Sequence, residues 1–253
     1  VMDQARRMAT HLQTLDLPPG ACIAMLAKNS AHFIIAELAI WMAGGTTVAI
    51  FPTETASNLA YVLEHCEARL LFIGKLDNWE QQKGGVPSGL PCIALPLAPD
   101  TGFANWDSIV ARHVPVIGRP HRAGDELAML LYTSGSTGQP KGVMQTFASI
   151  SQVAEEVVEL FAESIGAGAE NRMLSYLPLA HCYERAWVEC SALVAGNWQL
   201  FFAESLDTFL ADLRRARPLV FLSVPRLWIK FQQGVFAKMP PRKLDRMLRI
   251  PLL

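Results

Sequence analysis

The sequence predicts an α/β fold built from two doubly wound βαβ lobes of mixed or parallel sheet with flanking helices. Short apolar, strand-like runs alternate with helix-length segments along almost the whole chain. A content of 51% hydrophobic and 18% charged residues in 253 is typical of a globular protein with a large core. Residues 97–125 are rich in turn formers and are interpreted as a linker. We therefore expect a first lobe with its linker over residues 1–120 and a second lobe over residues 121–253.

The first lobe begins with a helix that ends before Pro18-Pro19-Gly20, since proline cannot continue a helix. The elements expected in this lobe are, in order, helix 2–15, strand 21–27, helix 31–43, strand 47–50, helix 56–67, strand 70–73 and strand 92–95. Gly44-Gly45 stops the second helix. Residues 77–90 are polar, with four glycines or prolines near their end, and are expected to form a loop.

The second lobe opens with the apolar run 127–131, which reads as a buried strand, and an extended pattern resumes at Val143-Met144. The elements expected after it are helix 148–162, strand 172–177, helix 183–195, strand 198–202, helix 205–216, strand 219–224 and helix 226–236. This alternation indicates further βαβ units.

The most informative stretch is residues 132–143, Tyr-Thr-Ser-Gly-Ser-Thr-Gly-Gln-Pro-Lys-Gly-Val. Gly135 and Gly138 allow the backbone to fold closely around a ligand. Four hydroxyl side chains can donate hydrogen bonds to phosphate oxygens: Thr133, Ser134, Ser136 and Thr137. Lys141 adds a compact positive charge after the stiffening Pro140. The stretch predicts a polyphosphate-binding loop between two strands.

This loop is not a Walker A motif, which needs four residues between its glycines and a Gly-Lys-Ser/Thr ending. Here two residues separate the glycines, and Lys141 lies between Pro140 and Gly142. A Gly/Ser-rich surface turn that binds nothing is the structural alternative.

A second candidate element is Leu177-Pro178-Leu179-Ala180-His181-Cys182-Tyr183-Glu184-Arg185, which follows an expected strand and enters a helix. The carboxyl end of a strand is where open α/β sheets place ligands. His181 could hydrogen-bond a carboxylate, and Glu184 and Arg185 could pair with each other or with other groups. A structural histidine and a solvated Glu-Arg pair are the alternatives.

The chain resembles the AMP-forming acyl-adenylate synthetases, a superfamily that includes acyl-CoA synthetases, luciferases and the adenylation domains of peptide synthetases. The loop 132–143 is similar to the superfamily's signature. The 177–185 element resembles that of long-chain fatty acyl-CoA synthetases. Three further stretches point the same way: Asn29-Ser30, Val224-Pro225-Arg226-Leu227-Trp228 and Lys243-Leu244-Asp245-Arg246.

The resemblance implies a ligase of fatty-acid metabolism that uses ATP, Mg²⁺ and coenzyme A. The carboxylate would attack the α-phosphate of ATP to give acyl-AMP and pyrophosphate, and the thiolate of coenzyme A would then displace AMP. It implies that the loop Thr133–Lys141 binds the β- and γ-phosphates, through Thr133, Ser134, Gly135, Ser136, Thr137, Gly138 and Lys141. Lys141 and His181 are the implied catalytic residues. His181, Glu184 and Arg185 are the implied acyl-site residues, and no metal ligand is assigned.

The same resemblance implies that the 253 residues are part of a longer N-terminal domain. The family's Tyr-Gly-x-Thr-Glu motif, its ribose-binding aspartate and its late lysine have no match, and the C-terminal domain is expected to be absent. We predict that this chain alone does not complete adenylation. The alternatives are an adenylating ligase for another carboxylic acid, or a truncated module that binds nucleotide or lipid without catalysis.

The composition also bears on the cellular setting and on metal binding. Five cysteines without a C-x-x-C pair favour a reducing, cytosolic setting, and the six histidines show no metal-ligand spacing. The apolar stretch 33–51 is interpreted as a buried helix followed by a strand.

The charge is unevenly distributed along the chain. Residues 213–253 carry ten Lys/Arg and one acidic residue, whereas residues 1–212 carry 12 Lys/Arg and 22 acidic residues. A basic amphipathic helix there can contact an anionic membrane, although a solvated face is the alternative. Nucleic-acid binding is not expected, and the oligomeric state stays open.

Overall fold

The computed structural model describes residues 1–134, 139–168 and 170–250. The helices are, in chain order, α1 Met2–Thr14, α2 Ala31–Met42, α3 Ala56–His65, α4 Trp79–Gln82, α5 Trp106–Arg112, α6 Phe147–Ile165, α7 Cys182–Glu184, α8 Ser191–Ala195, α9 Phe209–Ala216, α10 Pro225–Lys238 and α11 Pro241–Leu248. The strands are β1 Cys22–Leu26, β2 Thr46–Ile50, β3 Leu70–Ile73, β4 Cys92–Ala94, β5 Ala104–Asn105, β6 Leu127–Ser134, β7 Pro140–Thr146, β8 Arg172–Ser175 and β9 Gln199–Phe202. A 3₁₀ turn covers Lys83–Gly85, and a π-helical turn, Arg185–Cys190, joins α7 to α8.

Within the described residues, seven strands form one sheet in the order β5-β4-β3-β1-β2-β6-β7. All neighbouring pairs are parallel except the final hairpin, in which β7 runs antiparallel to β6. Because parallel strands need crossover connections, helices cover the sheet. The predicted α/β class with a mostly parallel sheet and flanking helices is confirmed.

Both faces of this sheet are buried, as expected for parallel strands. Alternate residues of β1 enter opposite cores: Ile23 and Met25 pack with α1, α2 and α5, whereas Ala24 and Leu26 pack with α3. The stretch expected to be a buried helix and then a strand is α2 followed by β2, and Ser30 caps α2 by accepting a hydrogen bond from the Phe33 N–H. No described helix has both the length and the apolar character needed to cross a bilayer.

A second, smaller sheet contains β8 and β9, which pair in parallel from Arg172↔Gln199 to Ser175↔Phe202. Leu200 and Phe202 of β9 also pack against the core that contains α2. The end of β8, and the turn that leads from it into α7, are therefore held close to the main sheet.

Several sequence expectations need correction. The strand expected over residues 219–224 is wrong: Leu219 donates one backbone hydrogen bond to Arg172, and the described residues 220–224 form no strand. An apolar run favours extended backbone but does not supply a strand edge to pair with. The expected linker 97–125 contains β5 and α5. Asn105 caps α5 through a 2.8 Å bond from the Ser108 N–H, and Trp106 is fully buried.

Two other regions differ in detail. The expected loop 77–90 contains α4, because Gln82 is buried and its amide donates to the carbonyls of Pro52 and Glu54, each at 2.9 Å. The helix expected over 183–195 is helical throughout, but its middle turn is π-helical. π-Helical turns occur frequently at functional sites.

The chain divides into two compact units, residues 1–219 and 220–253. The second, where described, contains α10 and α11, and none of the residues of these helices is buried. The lobe boundary expected near residue 120 stays a prediction. β2, which precedes that position, pairs with β6, which follows it.

Candidate active site

A cleft of about 510 Å³ lies beside the β6–β7 hairpin, at the carboxyl ends of β2 and β6. Its lining includes Phe51, Glu54, Tyr132, Thr133, Pro140 and His181. Carboxyl ends of parallel strands are the usual location of ligands in such sheets. The cleft therefore brings together the two sequence elements from which a site was predicted.

The stem of the predicted phosphate loop is the β6–β7 hairpin. Thr133 lies opposite Lys141, and Ser134 lies opposite Pro140. Thr133 and Lys141 are both exposed. Because paired residues of an antiparallel ladder share a face, Lys141 lies on the face of Thr133, together with Val143 and Gln145, which line the cleft. Gly135, Ser136, Thr137 and Gly138 lie outside the described residues.

The glycine that follows Lys141 has a packing role. A Cβ added to Gly142 would lie 3.3 Å from Cζ of Tyr132, its partner in the ladder. Tyr132 is buried, and its hydroxyl lies 2.7 Å from Nδ1 of His65 on α3. The tyrosine ring thus has little freedom to move, and a glycine at residue 142 lets the hairpin close against it.

His181 is the N-cap of α7, and its Nδ1 accepts a hydrogen bond of 3.1 Å from the Tyr183 N–H. In a neutral imidazole one nitrogen accepts while the other carries the hydrogen, so Nε2 carries it here. The side chain is exposed and lines the cleft. His181 can therefore donate a hydrogen bond from Nε2 to an anion bound there.

Glu184 is buried beneath the turn that follows β8. Its Oε1 accepts a 3.0 Å hydrogen bond from the Tyr176 N–H, and its carboxyl also bonds the Ser175 hydroxyl and the Leu177 N–H. Burial outweighs these bonds and raises the pKa of Glu184 to about 7. This residue anchors the turn leading to His181, and it is not among the side chains that line the cleft.

This raised pKa predicts a stability that depends on pH. Between about pH 4.5 and pH 7 the folded chain holds a proton on Glu184 that the unfolded chain has lost. The free energy of unfolding should therefore fall as pH rises through this window, by an amount on the order of 3 kcal/mol. Glu184→Gln should remove that part of the slope, measured by urea unfolding at pH 5 and pH 8. A variant whose slope matches that of the wild type would contradict this assignment.

Arg185 is buried and is not among the side chains that line the cleft. It donates to Glu37 of α2 and to Glu189 of the π-helical turn, the latter at 2.7 Å, and it lies 5.2 Å from the centre of the Phe33 ring. Burial raises the pKa of Glu37 well above its usual value, against the lowering effect of Arg185. Burial thus disfavours a charge on the Glu37 carboxyl, and Arg185 lies between two buried carboxyl groups.

Of the three predicted acyl-site residues, then, His181 lines the cleft, while Glu184 and Arg185 are buried and are not among its lining residues. The partners Glu37 and Glu189 were not predicted. Glu37 gave a usable signal, because a single carboxylate in an otherwise apolar helix needs a buried partner.

A family model described as AMP-binding enzyme matches residues 1–251. The chain belongs to this family. The resemblance inferred from the loop 132–143 is therefore confirmed.

Among its relatives within the AMP-binding enzymes are proteins named as long-chain-fatty-acid–CoA ligases. The human ligase ACSBG2 is 28% identical over 248 residues, which cover 92% of this chain and 37% of that protein. The Arabidopsis thaliana long chain acyl-CoA synthetase 2 is 25% identical over 259 residues, covering 96% and 39%. The chain spans between a third and two fifths of the length of such relatives.

Solved structures of AMP-binding enzymes share the fold. A benzoate CoA ligase from Burkholderia xenovorans LB400 superposes with a TM-score of 0.71 at 26% identity, over 90% of this chain and 44% of that one. The A domain of a carboxylic acid reductase from Segniliparus rugosus, in complex with AMP and a co-purified carboxylic acid, gives a TM-score of 0.77 at 20% identity, over 96% and 43%. The second likeness supports the fold alone.

Proposed function

We propose that the protein is an acid–thiol ligase that activates a long-chain fatty acid with ATP and transfers the acyl group to coenzyme A. This chain would supply the phosphate-binding hairpin and one wall of the acyl site. The observation that carries the proposal is that Thr133 and His181 line one and the same cleft. The relatives named as long-chain-fatty-acid–CoA ligases support the substrate class.

The hairpin suits a polyphosphate. Thr133 offers a hydroxyl and Lys141 a positive charge on the same exposed face of the ladder. Ser134, Gly135, Ser136, Thr137 and Gly138 would complete the loop between them, with hydroxyl and backbone N–H donors. Mg²⁺ would arrive with ATP, since it is usually bound through substrate phosphates plus one or two carboxylates.

In the first step a carboxylate oxygen would attack the α-phosphorus, and the bond from that phosphorus to the oxygen bridging to the β-phosphate would break. Pyrophosphate leaves with the released electron pair. Lys141 and the loop donors would stabilise this growing charge, while the cleft holds the two reactants together. His181 would orient the acid carboxylate through its Nε2 hydrogen. In the second step the thiolate of coenzyme A would attack the acyl carbonyl carbon and release AMP.

The substrate class is tested with a panel of acids. The full-length native protein should release AMP with ATP, Mg²⁺ and coenzyme A most rapidly when the acid is a long-chain fatty acid such as palmitate. Octanoate and benzoate are the comparison acids. Benzoate or another aryl acid as the best substrate would favour the second candidate, an aryl-acid ligase, which the likeness to the benzoate CoA ligase supports.

A further inference from the structure

One side chain from the connection between β1 and α2 holds the turn that leads to His181. Asn29 lies between β1 and α2, and its amide makes three hydrogen bonds to a segment about 150 residues away along the chain. Its Nδ2 donates to Oγ of Ser175 at 2.8 Å and to the carbonyl of Leu177 at 2.6 Å. Its Oδ1 accepts from the Leu179 N–H at 3.0 Å.

These three bonds need both the donors and the acceptor of an amide side chain. Asn29 supplies two N–H donors and one acceptor, and each meets a partner of the opposite kind. An aspartate could accept from Leu179 but would turn a second oxygen, without a hydrogen, toward the Leu177 carbonyl. An alanine would remove one hydrogen bond from each of the three partners, at a cost for each group left buried without another partner.

The turn is also held from its other side. Glu184 bonds Ser175 and Tyr176, so the Ser175 hydroxyl donates to Glu184 while it accepts from Asn29. Two residues after Leu179, whose N–H is bonded to Asn29, the His181 N–H donates to the Pro178 carbonyl at 2.9 Å. The position of the His181 backbone therefore follows from the turn that Asn29 and Glu184 hold between them.

We propose that Asn29 is a positioning residue that sets the location of His181 in the cleft that Thr133 also lines. The inference rests on the proposed function in one respect, namely that the location of His181 matters for adenylation. Asn29 itself is not among the residues that line the cleft. Its effect on the reaction would pass through the backbone of residues 175–181, since small displacements of a positioning group can lower a rate by about 100-fold.

The test compares Asn29→Asp with Ser30→Ala in the full-length native protein. Ser30 is the neighbouring residue and caps α2, so its replacement removes a helix cap without removing any hydrogen bond to the turn. Hydrogen–deuterium exchange of peptides covering 176–181 and the NMR signals of the His181 ring report the turn directly. The rate of acid-dependent ATP–pyrophosphate exchange reports its consequence.

Asn29→Asp should speed amide exchange in 176–181, shift the His181 ring signals and lower kcat by about tenfold or more, with the KM for ATP unchanged. Ser30→Ala should leave all four quantities near their wild-type values. Equal effects of both variants, or unchanged exchange and ring signals in Asn29→Asp, would overturn the proposal. If the wild type showed no pyrophosphate exchange with any acid, the proposed function would fail, while amide exchange and the ring signals would still decide whether Asn29 positions His181.

Discussion

Replacing Lys141 with alanine is expected to lower the rate of acid-dependent ATP–pyrophosphate exchange by about 100-fold or more in the full-length native protein. Lys141 lies on the cleft face of the β6–β7 hairpin, opposite Thr133, where it can face the leaving pyrophosphate. Since negative charge builds on that group mainly in the transition state, kcat should fall more than the affinity for ATP. Steady-state kinetics with saturating acid and varied ATP separate the two effects.

Lys83→Ala is the matched control for this prediction. Lys83 is also an exposed lysine, but it lies in the 3₁₀ turn Lys83–Gly85 and not on the β6–β7 hairpin, and it forms an ion pair with Glu80. Its replacement should leave the exchange rate within about twofold of the wild type, since surface ion pairs contribute little. Unchanged kinetics in Lys141→Ala, or an equal loss in both variants, would count against the phosphate-loop assignment.

Replacing Arg185 with methionine is expected to destabilise the protein by about 3–5 kcal/mol. The variant leaves the buried carboxyl groups of Glu37 and Glu189 without the cation that faces both of them. The contact between Arg185 and Glu37 also joins the π-helical turn, which follows His181 in the chain, to α2. Urea unfolding followed by circular dichroism gives the free energy directly.

Glu37→Gln provides the comparison. Burial raises the pKa of Glu37 and so disfavours a charge on its carboxyl, and glutamine matches that carboxyl in size and keeps an acceptor oxygen for Arg185. We expect this variant to cost about 1 kcal/mol or less. A cost for Arg185→Met no greater than that of Glu37→Gln would show that the ion cluster does not stabilise the fold.

Much of the fold could be predicted from local signals. Ser30 before an apolar helix and Gly44-Gly45 after it bracket α2, and the apolar run 127–131 lies within β6. Asn105, the N-cap of α5, is a similar local signal. It was missed because residues 97–125 contain many turn formers and were therefore interpreted as a linker. The strand expected at 219–224 was wrong because pairing depends on a neighbouring edge, which a local pattern does not reveal.

The site could be predicted only in part, because some of its contacts join residues that lie far apart in the sequence. Local chemistry identified Thr133, Lys141 and His181 as candidates, and the fold places Thr133 and His181 at one cleft. The role of Arg185 at the acyl site stays a prediction. One of its two partners, Glu37, lies 148 residues away, and Asn29 bonds the turn before His181 across a similar separation. Such contacts arise only when α2 and β8 are packed together.

The most direct test of the central claim is acid-dependent exchange of labelled pyrophosphate into ATP by the full-length native protein. The proposed adenylation predicts exchange that requires Mg²⁺ and a long-chain fatty acid, proceeds without coenzyme A, and is abolished or strongly reduced in Lys141→Ala. Exchange that is absent with every carboxylic acid tried, in a protein that binds ATP, would contradict the account and leave a non-catalytic nucleotide-binding role.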